Sequence, residues 1–544
     1  MTAQEELTTP AGRDALAMHS ALWADQYALT MAQAFFTHGK HDLITSFHCF
    51  IRKNPFAGGY LITAGQNILF DWLEHWHFDA SDIELLRGMH AEDPDGGQQH
   101  RLFTDAFLDM LASARLQLNV DAMPEGELAF PDEPIVRVYG PLWQCLLVES
   151  ALLNIINSQS LFATLASRLM DVAEGGAIIE FGLRRAQALG GLESSRATYI
   201  GGVNSTSNLL AAKYYGIPTA GTFAHALVMV YEDELEAFRD YAGAMPYNGI
   251  FLVDTYATES GVRHAVEACR NMGVRMKGIR LDSGDLAYLS RIARHILDEA
   301  GFGDALVAAS NDLDEDTVAS LRRQGAKIDI WGIGTNLSTS KAQPALGAVY
   351  KLGAIFDGGL SRPQVDARKL AITQGHGQIG DLNGFVREVI KISEQQTKIT
   401  IPGELDVLRY LKRENEHWRF DGDTIISTLQ PDPVTENSAH SADHPARLTL
   451  AVESVQKYDE TLRKVFPAGT PVYRPIRAAF VNGERTIAIE NVHQARARAR
   501  NSMDRLHPTH KRLKNPHIYA TGLEASLYDK RHAMIMSLRH KLQN

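Results

Sequence analysis

Apolar and polar positions follow two alternating periods in the middle of the chain, from about residue 175 to residue 355. Short apolar runs that end in glycine or in polar residues predict buried strands. These runs are AIIEFG, TAGTFA, GIFLVDTY, MKGIRLDSG, ALVAASND, KIDIWGIGT and AVYKLGAI. Stretches with apolar residues three and four positions apart predict helices between them, and three of these helices end at the glycines Gly273, Gly301 and Gly325.

Strands that alternate with helices at this spacing are joined by right-handed crossovers and run parallel. The six or seven predicted strands fit either a (β/α) barrel or an open doubly wound sheet. Polar groups follow most of them, in FGLRR, GTFAH, VDTY, RLDSGD, SNDLDE and GIGTN. Because the carboxyl ends of parallel strands meet on one face, where ligands bind, this placement indicates an enzyme.

The segments before and after this middle region do not alternate strands and helices in this way. QNILFDWLEHWHF predicts an amphipathic helix, and PEGELAFPDEPIVRVYGP predicts short strands. Strand-like runs return after residue 399, where they complete the first domain's sheet and make that domain discontinuous in sequence. The stretch Asp357–Asn383 is interpreted as a long insertion or a mobile loop, and Gln430–Arg447 as an exposed loop. The tail from Asn491 is expected to be helical with a solvated basic face.

Composition narrows the class of protein. The 544 residues require two or three domains, and the 45% hydrophobic and 22% charged content is that of a soluble globular protein. The net charge of −11 argues against nucleic-acid binding but allows an anionic small molecule held by local arginines. The three cysteines are far apart and form no CxxC pair, so neither a zinc site nor a disulfide framework is indicated.

The chain shows no targeting or membrane signal by sequence. The N-terminal stretch MTAQEELTTPAGRD has no apolar core and is not a signal peptide. No run of about 18 apolar residues is evident, so no membrane span is expected. We expect a cytoplasmic enzyme.

The stretch GTFAHALVM places one histidine, His225, among small and apolar residues. Taken alone, it is a core histidine satisfied by a hydrogen bond. No cysteine or serine is visibly activated, so the candidates for chemistry are His225 and the carboxylates Asp254, Asp282 and Asp285.

Arginines at two strand ends predict an anionic ligand. Arg184 and Arg185 are adjacent, and since neighbouring residues on a strand point to opposite sides, only one is expected to reach the ligand. A structural salt bridge is the alternative. Arg280 is a second anion binder, and Asp282 supports a cation or a sugar hydroxyl, unless Asp282 or Ser283 only caps the next helix.

GIGTN, Gly332–Asn336, offers backbone amides and the Thr335 hydroxyl for a phosphate, although glycine turns are common. It is not a Walker A motif, and no GxGxxG for NAD is present. The ligand is therefore expected to carry several anionic groups.

These segments resemble the nicotinate phosphoribosyltransferase family. The resemblance runs nearly end to end, through ADQYALTMAQAFF, FIRKNPFAGGYLITAG, LLNIINSQSLFATLASR, FGLRRAQ, YIGGVNSTSNLLAAKYYGIP, GTFAHA, LVDTY, GIRLDSGDLAYL, ASNDLDE, GIGTNLST, VYKL and IKISEQQTKITIPG. It implies an irregular (β/α) barrel plus an α/β sandwich domain formed from both ends of the chain. The expected domains are 1–150 (sandwich), 151–395 (catalytic barrel) and 396–544 (the rest of the sandwich and terminal helices).

The resemblance also implies a reaction. Nicotinate and phosphoribosyl pyrophosphate give nicotinate mononucleotide and pyrophosphate in NAD salvage, with coupled ATP hydrolysis and Mg²⁺, which makes the enzyme a ligase and glycosyltransferase. His225 resembles the histidine that ATP phosphorylates, and Asp282 is assigned as catalytic beside it. The expected partners are these substrates and a second copy of the chain, in a homodimer with shared active sites.

Substrate contacts are carried over from the resemblance position by position. Tyr27 looks like the aromatic that stacks on nicotinate, beside Asp25, in a segment that reaches the neighbouring subunit. Thr222 and Arg280 resemble nicotinate contacts. Arg184 resembles the arginine that bridges substrate and phosphate. Gly334 and Thr335 resemble the residues that bind the ribose 5-phosphate. No metal ligand is assigned.

Two positions depart from the family pattern. Ala24 stands where a threonine is common, and Ala257 where a second aspartate is common, which puts a metal or pyrophosphate contact in doubt. Two other functions remain open: the same fold acting on nicotinamide or another pyridine, and a non-catalytic relative that senses nucleotides. A carboxylate facing Arg280 favours nicotinate.

Overall fold

The computed structural model describes residues 20–93, 96–356, 385–434 and 440–543, together with residue 367. The predicted insertion Asp357–Asn383 lies almost entirely outside the described residues, as do residues 435–439 of the predicted loop Gln430–Arg447. The chain forms two compact units. The sandwich unit contains the described residues of Met1–Ser158, Leu346–Glu490 and Asn501–Asn544, and the barrel unit those of Gln159–Ala345 and Asn491–Arg500.

The N-terminal part contains helices and mostly short strands. Its helices are α1 Gln26–Thr37, α2 Gln66–Glu74, α3 Ala80–Arg87, α4 Asp105–Ala112, α5 Leu142–Leu147 and α6 Glu149–Ala173. Its strands are β1 Ile44–Phe50, β2 Leu61–Ile62, β3 His90–Glu92, β4 Gln99–Arg101, β5 Asn119–Ala122, β6 Leu128–Ala129 and β7 Val136–Pro141.

The middle part alternates strands and helices, as its sequence pattern predicts. Its strands are β8 Ala177–Glu180, β9 Ser205–Thr206, β10 Ile250–Leu252, β11 Gly278–Leu281, β12 Leu306–Asn311 and β13 Ile330–Ile333. Its helices are α7 Gly190–Ile200, α8 Leu209–Tyr215, α9 His225–Met229, α10 Glu234–Ala244, α11 Thr258–Met272, α12 Leu286–Glu299, α13 Glu315–Arg323 and α14 Thr335–Thr339.

The last part is rich in strands and ends in helices. Its strands are β14 Val349–Phe356, β15 Val386–Glu388, β16 Leu405–Glu414, β17 His417–Ser427, β18 Ala446–Arg447, β19 Val452–Gln456, β20 Asp459–Phe466, β21 Pro471–Tyr473, β22 Arg477–Val481, β23 Glu484–Arg485 and β24 Thr521–Glu524. Its helices are α15 Val492–Arg505, α16 Pro508–Lys511 and α17 Ala525–Gln543.

Two seven-stranded sheets build the sandwich unit. One has the order β15-β14-β1-β7-β5-β22-β23, so strands from both ends of the chain pair within it. The other has the order β18-β21-β16-β17-β24-β19-β20 and comes entirely from the last part. The fully buried Arg409 of β16 contacts Glu127 and Glu133 of the N-terminal part, which ties the late strands to the early ones.

The strands of the barrel unit form a nearly closed parallel ring. Their order is β10-β11-β12-β13-β8-β9, and Thr206 of β9 makes a further parallel bridge to Thr219. Asn248, just before β10, donates a hydrogen bond of 3.3 Å to the carbonyl of Gly221 and so spans the remaining gap. The ring encloses a cavity of about 180 Å³. This arrangement agrees with an irregular barrel, one of the two folds that the sequence left open.

The predicted strands TAGTFA and AVYKLGAI do not join the barrel as expected. TAGTFA is irregular apart from the Thr219 bridge. AVYKLGAI forms β14, which pairs antiparallel with β1 in the sandwich unit. Its apolar run had the composition of a barrel strand, but the partner is set by the antiparallel register with β1. The first segment of the barrel unit accordingly ends at Ala345, whereas the predicted catalytic barrel spans residues 151–395.

Segment Leu142–Ala173 is the one stretch of the described residues long and apolar enough to cross a membrane, by length and composition alone. In the structure 61% of its apolar window is buried inside the protein, as in a core helix.

Candidate active site

Alternate residues of the barrel strands point into the ring, so a few inward positions define the site. Ile179 and Phe181, Ala308 and Ser310, and Ile330 and Gly332 line the central cavity as such pairs. The ring of Phe181 occupies the space opposite Gly332, where a Cβ would lie 2.5 Å from Phe181 Cε2. The first glycine of GIGTN therefore makes room for an aromatic side chain rather than for a phosphate.

A second cavity of about 160 Å³ adjoins the first at the carboxyl ends of the strands. The two cavities share four of their lining residues, Phe181, Arg280, Ser310 and Gly332. The second cavity alone is lined by Arg184, Arg185, Asp282, Asn311, Asp312, Gly334 and Thr335. The predicted anion-binding residues are thus brought together.

Arg184 and Arg185 both line this second cavity, so the alternation argument does not decide which of them reaches the ligand. β8 ends at Glu180, and the two arginines lie in a turn, where alternation along a strand no longer applies. The fully buried Glu180 fixes this turn, because its carboxylate accepts hydrogen bonds from the backbone of Gly182 and from the hydroxyl of Thr206 (2.6 Å).

Arg280 is held by three side chains at the boundary between the cavities. Its Nε donates to Ser310 Oγ (2.7 Å), its Nη1 to Thr222 Oγ1 (3.2 Å) and its Nη2 to Asp282 Oδ1 (2.8 Å). Its guanidinium carbon lies 5.5 Å from the centroid of the Phe181 ring. The arginine is mostly buried, so its charge acts in a poorly solvated place.

Asp282 links Arg280 to His225. Its Oδ1 accepts from Arg280 and Ser310, while its Oδ2 lies 3.9 Å from His225 Nε2. Burial alone would raise the pKa of Asp282, but the hydrogen bonds from Ser310 and Arg280 and the positive charge of Arg280 outweigh it, and the pKa is lowered. Asp282 is therefore a carboxylate at neutral pH.

His225 is the first residue of the short helix α9, and its side chain is 39% exposed. Its Nδ1 is 3.1 Å from the hydroxyl of Thr255, and its Nε2 faces Asp282. The interpretation of His225 as a core histidine is wrong, because the ring is partly open to solvent and one nitrogen faces a carboxylate.

Asp254 shapes the turn that carries Asp282. Its Oδ2 accepts the backbone N–H of Asp282 (2.8 Å) and the hydroxyl of Ser283 (2.7 Å). The cap of the following helix is Asp285, whose carboxylate accepts from the backbone of Tyr288, so the alternative that Asp282 or Ser283 is the cap is wrong. Ala257 is the N-cap residue of α11 and provides no side-chain acceptor.

Tyr27 and Asp25 belong to the sandwich unit. Tyr27 lies in the first turn of α1 and is 47% exposed, and partial burial together with the negative charge of Glu149 raises its pKa to about 12. Asp25 precedes the helix and accepts from the Ser150 hydroxyl at 2.7 Å. A neutral, half-exposed phenol ring is thus presented at this surface.

Phe181 and Ser310 were not singled out from the sequence. Each lies two positions beyond an apolar inward residue, Ile179 and Ala308, at the end of its strand. The period of two would have identified both as inward-facing, had the strand ends been known.

Comparison with known proteins identifies the family. Two family models match, described as nicotinate phosphoribosyltransferase (NAPRTase) N-terminal domain, over residues 22–157, and nicotinate phosphoribosyltransferase C-terminal domain, over residues 444–531. A nicotinate phosphoribosyltransferase of Bacillus subtilis (strain 168) is 36% identical over 535 residues, 97% of this chain and 97% of the relative. The chain belongs to the nicotinate phosphoribosyltransferase family.

Other members of the nicotinate phosphoribosyltransferase family agree in length and fold. The Dictyostelium discoideum relative is 30% identical over 563 residues, 94% of this chain and 87% of the relative. A crystal structure of human nicotinic acid phosphoribosyltransferase superposes with a TM-score of 0.72 at 26% identity and covers 94% of this chain and 99% of that one. The expected family and α/β fold class are confirmed.

Proposed function

We propose that this chain transfers a phosphoribosyl group from phosphoribosyl pyrophosphate to nicotinate, giving nicotinate mononucleotide and pyrophosphate for NAD salvage. The observation that carries the proposal is the guanidinium of Arg280, held between two cavities and linked through Asp282 to His225. Family membership supports the same reaction.

The central cavity suits an aromatic acid. Its wall combines the Phe181 ring with mostly small and apolar residues, and with Asn248 and Lys277. Arg280 supplies N–H groups of the kind that pair with a carboxylate. Nicotinate has the ring and the carboxylate, whereas nicotinamide offers no negative charge to Arg280. This charge requirement favours nicotinate over its amide.

The second cavity suits the phosphoribosyl donor. Arg184 and Arg185 provide positive charge, and the Gly334–Thr335 turn provides a hydroxyl and an approachable backbone. Loss of pyrophosphate builds positive charge on the ribose, as in other glycosyl transfers, and the ionised Asp282 at the cavity wall would stabilise it. Positioning supplies much of the remaining acceleration.

We further propose that the enzyme couples ATP hydrolysis to this transfer through His225. If Nδ1 donates its proton to Thr255, Nε2 is left unprotonated as a nucleophile. Nε2 then attacks the γ-phosphorus, the bond from that phosphorus to the bridging oxygen breaks, and ADP leaves. Water later cleaves the N–P bond, and the energy is used to tighten substrate binding.

Mg²⁺ is compatible with the acceptors at this site. Mg²⁺ commonly uses one or two carboxylates together with substrate phosphates and water. Asp282 and Asp312 line the second cavity. Within the described ranges, no group of three side chains that could hold a metal ion occurs. The ion would neutralise pyrophosphate as it leaves.

The family resemblance further supports a cytoplasmic homodimer with shared sites. In that arrangement the exposed phenol ring of Tyr27, beside Asp25, stacks on nicotinate bound to the neighbouring subunit.

The decisive experiment is product identification with nicotinate, phosphoribosyl pyrophosphate, ATP and Mg²⁺, omitting each in turn. We expect nicotinate mononucleotide, with less product when ATP is omitted and none when either substrate is omitted. Faster conversion of nicotinamide than of nicotinate would favour the amide enzyme. Absence of product from the complete mixture would favour the nucleotide sensor.

A further inference from the structure

The hydrogen bonds of Arg280 determine which of its N–H groups remain for a ligand. A guanidinium has five N–H donors. Among the described residues, three of those of Arg280 have a partner, in Ser310, Thr222 and Asp282. One N–H remains on each terminal nitrogen, which is the number that a carboxylate accepts from one arginine in a bidentate pair.

Ser310 occupies the point where the cation and the anion meet. It is 4% exposed, accepts the Nε proton of Arg280 at 2.7 Å, and donates its own proton to Asp282 Oδ1. Because a hydroxyl has a single proton, this donation leaves the oxygen lone pairs for Arg280. The Leu281 carbonyl, at 3.5 Å, is a more distant acceptor for the same proton.

Without this hydroxyl, Arg280 and Asp282 have a competing arrangement. The Nε and Nη2 of an arginine form a fork that matches both oxygens of a carboxylate. The Ser310 hydroxyl is hydrogen-bonded both to Nε of Arg280 and to Oδ1 of Asp282, and it thereby prevents the two residues from pairing in this way. A bidentate pair would turn the guanidinium toward Asp282 and draw Oδ2 away from His225.

We propose that Ser310 is a positioning residue that keeps Arg280 directed at the carboxylate of the base and so sets the preference for nicotinate over its amide. The inference rests on the proposed function. Thr222 restrains the other side of the guanidinium, and its own proton goes to the Phe223 carbonyl at 3.2 Å. The two hydroxyls thus bracket Arg280, and Ser310 is the one that also contacts the catalytic carboxylate.

The test compares Ser310→Ala with a matched serine, Ser290→Ala. Ser290 is fully buried in α12 of the same unit, bonds to the Ala287 carbonyl and the Lys327 backbone, and lines neither cavity. We expect Ser310→Ala to raise the KM for nicotinate about tenfold with a smaller change in kcat. The kcat/KM for nicotinate relative to nicotinamide falls, while Ser290→Ala keeps the wild-type KM.

Two further variants separate positioning from a packing defect. Ser310→Thr keeps the hydroxyl that accepts from Arg280 and donates to Asp282, so its KM for nicotinate is expected to stay closer to the wild-type value than that of Ser310→Ala. Arg280→Lys removes Nε and the planar fork, so adding Ser310→Ala to it has little further effect on KM.

An unchanged nicotinate KM in folded Ser310→Ala, or additive effects in the double variant, would overturn the inference alone. Failure of the wild-type enzyme to form nicotinate mononucleotide would instead overturn the proposed function and the inference with it.

Discussion

The two ring nitrogens of His225 have different surroundings, and that difference decides what the residue can do. Nδ1 has a hydroxyl partner, Thr255, whereas Nε2 faces Asp282 across 3.9 Å in a side chain that is partly open to solvent. The sequence placed His225 at a strand end with the other polar groups, but it did not reveal Thr255 as its partner. A side chain 30 residues away in the chain became a neighbour only through the parallel arrangement of the strands.

We predict that His225→Ala abolishes phosphoenzyme formation and coupled ATP hydrolysis, because no other described side chain of the site offers a comparable nitrogen. Slow, ATP-independent formation of nicotinate mononucleotide should remain. Transfer of label from γ-labelled ATP to protein measures the first effect. His264→Ala is the control, since His264 has similar exposure in the same unit but pairs with Glu234 at 2.8 Å. Labelled protein in the His225 variant would contradict the assignment.

Among residues, the charged groups of the site were predicted better than the neutral ones. Arg184, Arg280 and Asp282 were singled out because charge at a strand end is conspicuous in a sequence. Ser310 and Phe181 were missed, since serine and phenylalanine are common in buried strands and only their neighbours give them a role.

At the scale of elements, periodicity predicted the helices of the barrel well. Gly273, Gly301 and Gly325 follow predicted helices in the sequence, and in the structure all three have positive φ at helix ends, as expected of a helix-terminating glycine. Strand type was predicted from local pattern, but strand partners were not. β14 resembles a barrel strand in composition and yet pairs with β1, because register and partner depend on residues about 300 positions away.

A hydrogen bond between β1 and β16 predicts that the stability of the protein depends on pH. His48 in β1 is buried, and its Nε2 accepts the backbone N–H of Leu405 at 3.0 Å. Burial, aided by the positive charge of Arg137, lowers its pKa to about 3. A protonated ring would lose that acceptor, so the folded state keeps His48 neutral.

The unfolded chain takes up this proton near its ordinary pKa of about 6.5, before the folded chain does. The free energy of unfolding therefore falls as pH drops from that value toward 3, by up to about 1.4 kcal/mol per pH unit. Denaturant titrations at several pH values measure the slope. His48→Gln keeps an acceptor without titrating and should flatten it. His295→Gln, at an exposed position, should not, and an unchanged slope in His48→Gln would refute the assignment.

At the scale of the whole molecule, the sequence indicated that late strands return to the first domain. The pairing of β22 with β5 agrees with that prediction. The sequence did not indicate that residues 491–500, which include much of α15, belong to the barrel unit. Arg496 donates to the carbonyl of Tyr199 at 2.8 Å, a contact that no periodicity reveals. The basic face of this helix is thus partly structural rather than only solvated.

The proposed sharing of sites between two copies leads to a test by complementation. His225 lies in the barrel unit and Tyr27 in the sandwich unit, so each can be disabled separately. If Tyr27 serves the neighbouring subunit, a dimer of one His225→Ala chain and one Tyr27→Ala chain has one site with both defects and one site with neither. A homodimer of either variant has no intact site.

Mixing the two variants under conditions that exchange subunits should therefore restore ATP-coupled activity. With random pairing in a two-fold dimer, half of the dimers are mixed and half of their sites are intact, so about a quarter of wild-type activity is expected. ATP-coupled formation of nicotinate mononucleotide is the readout. Mixing His225→Ala with Arg280→Ala, both in the barrel unit, is the control and should restore none. Equal, negligible activity in both mixtures would assign Tyr27 to its own subunit's site or to none.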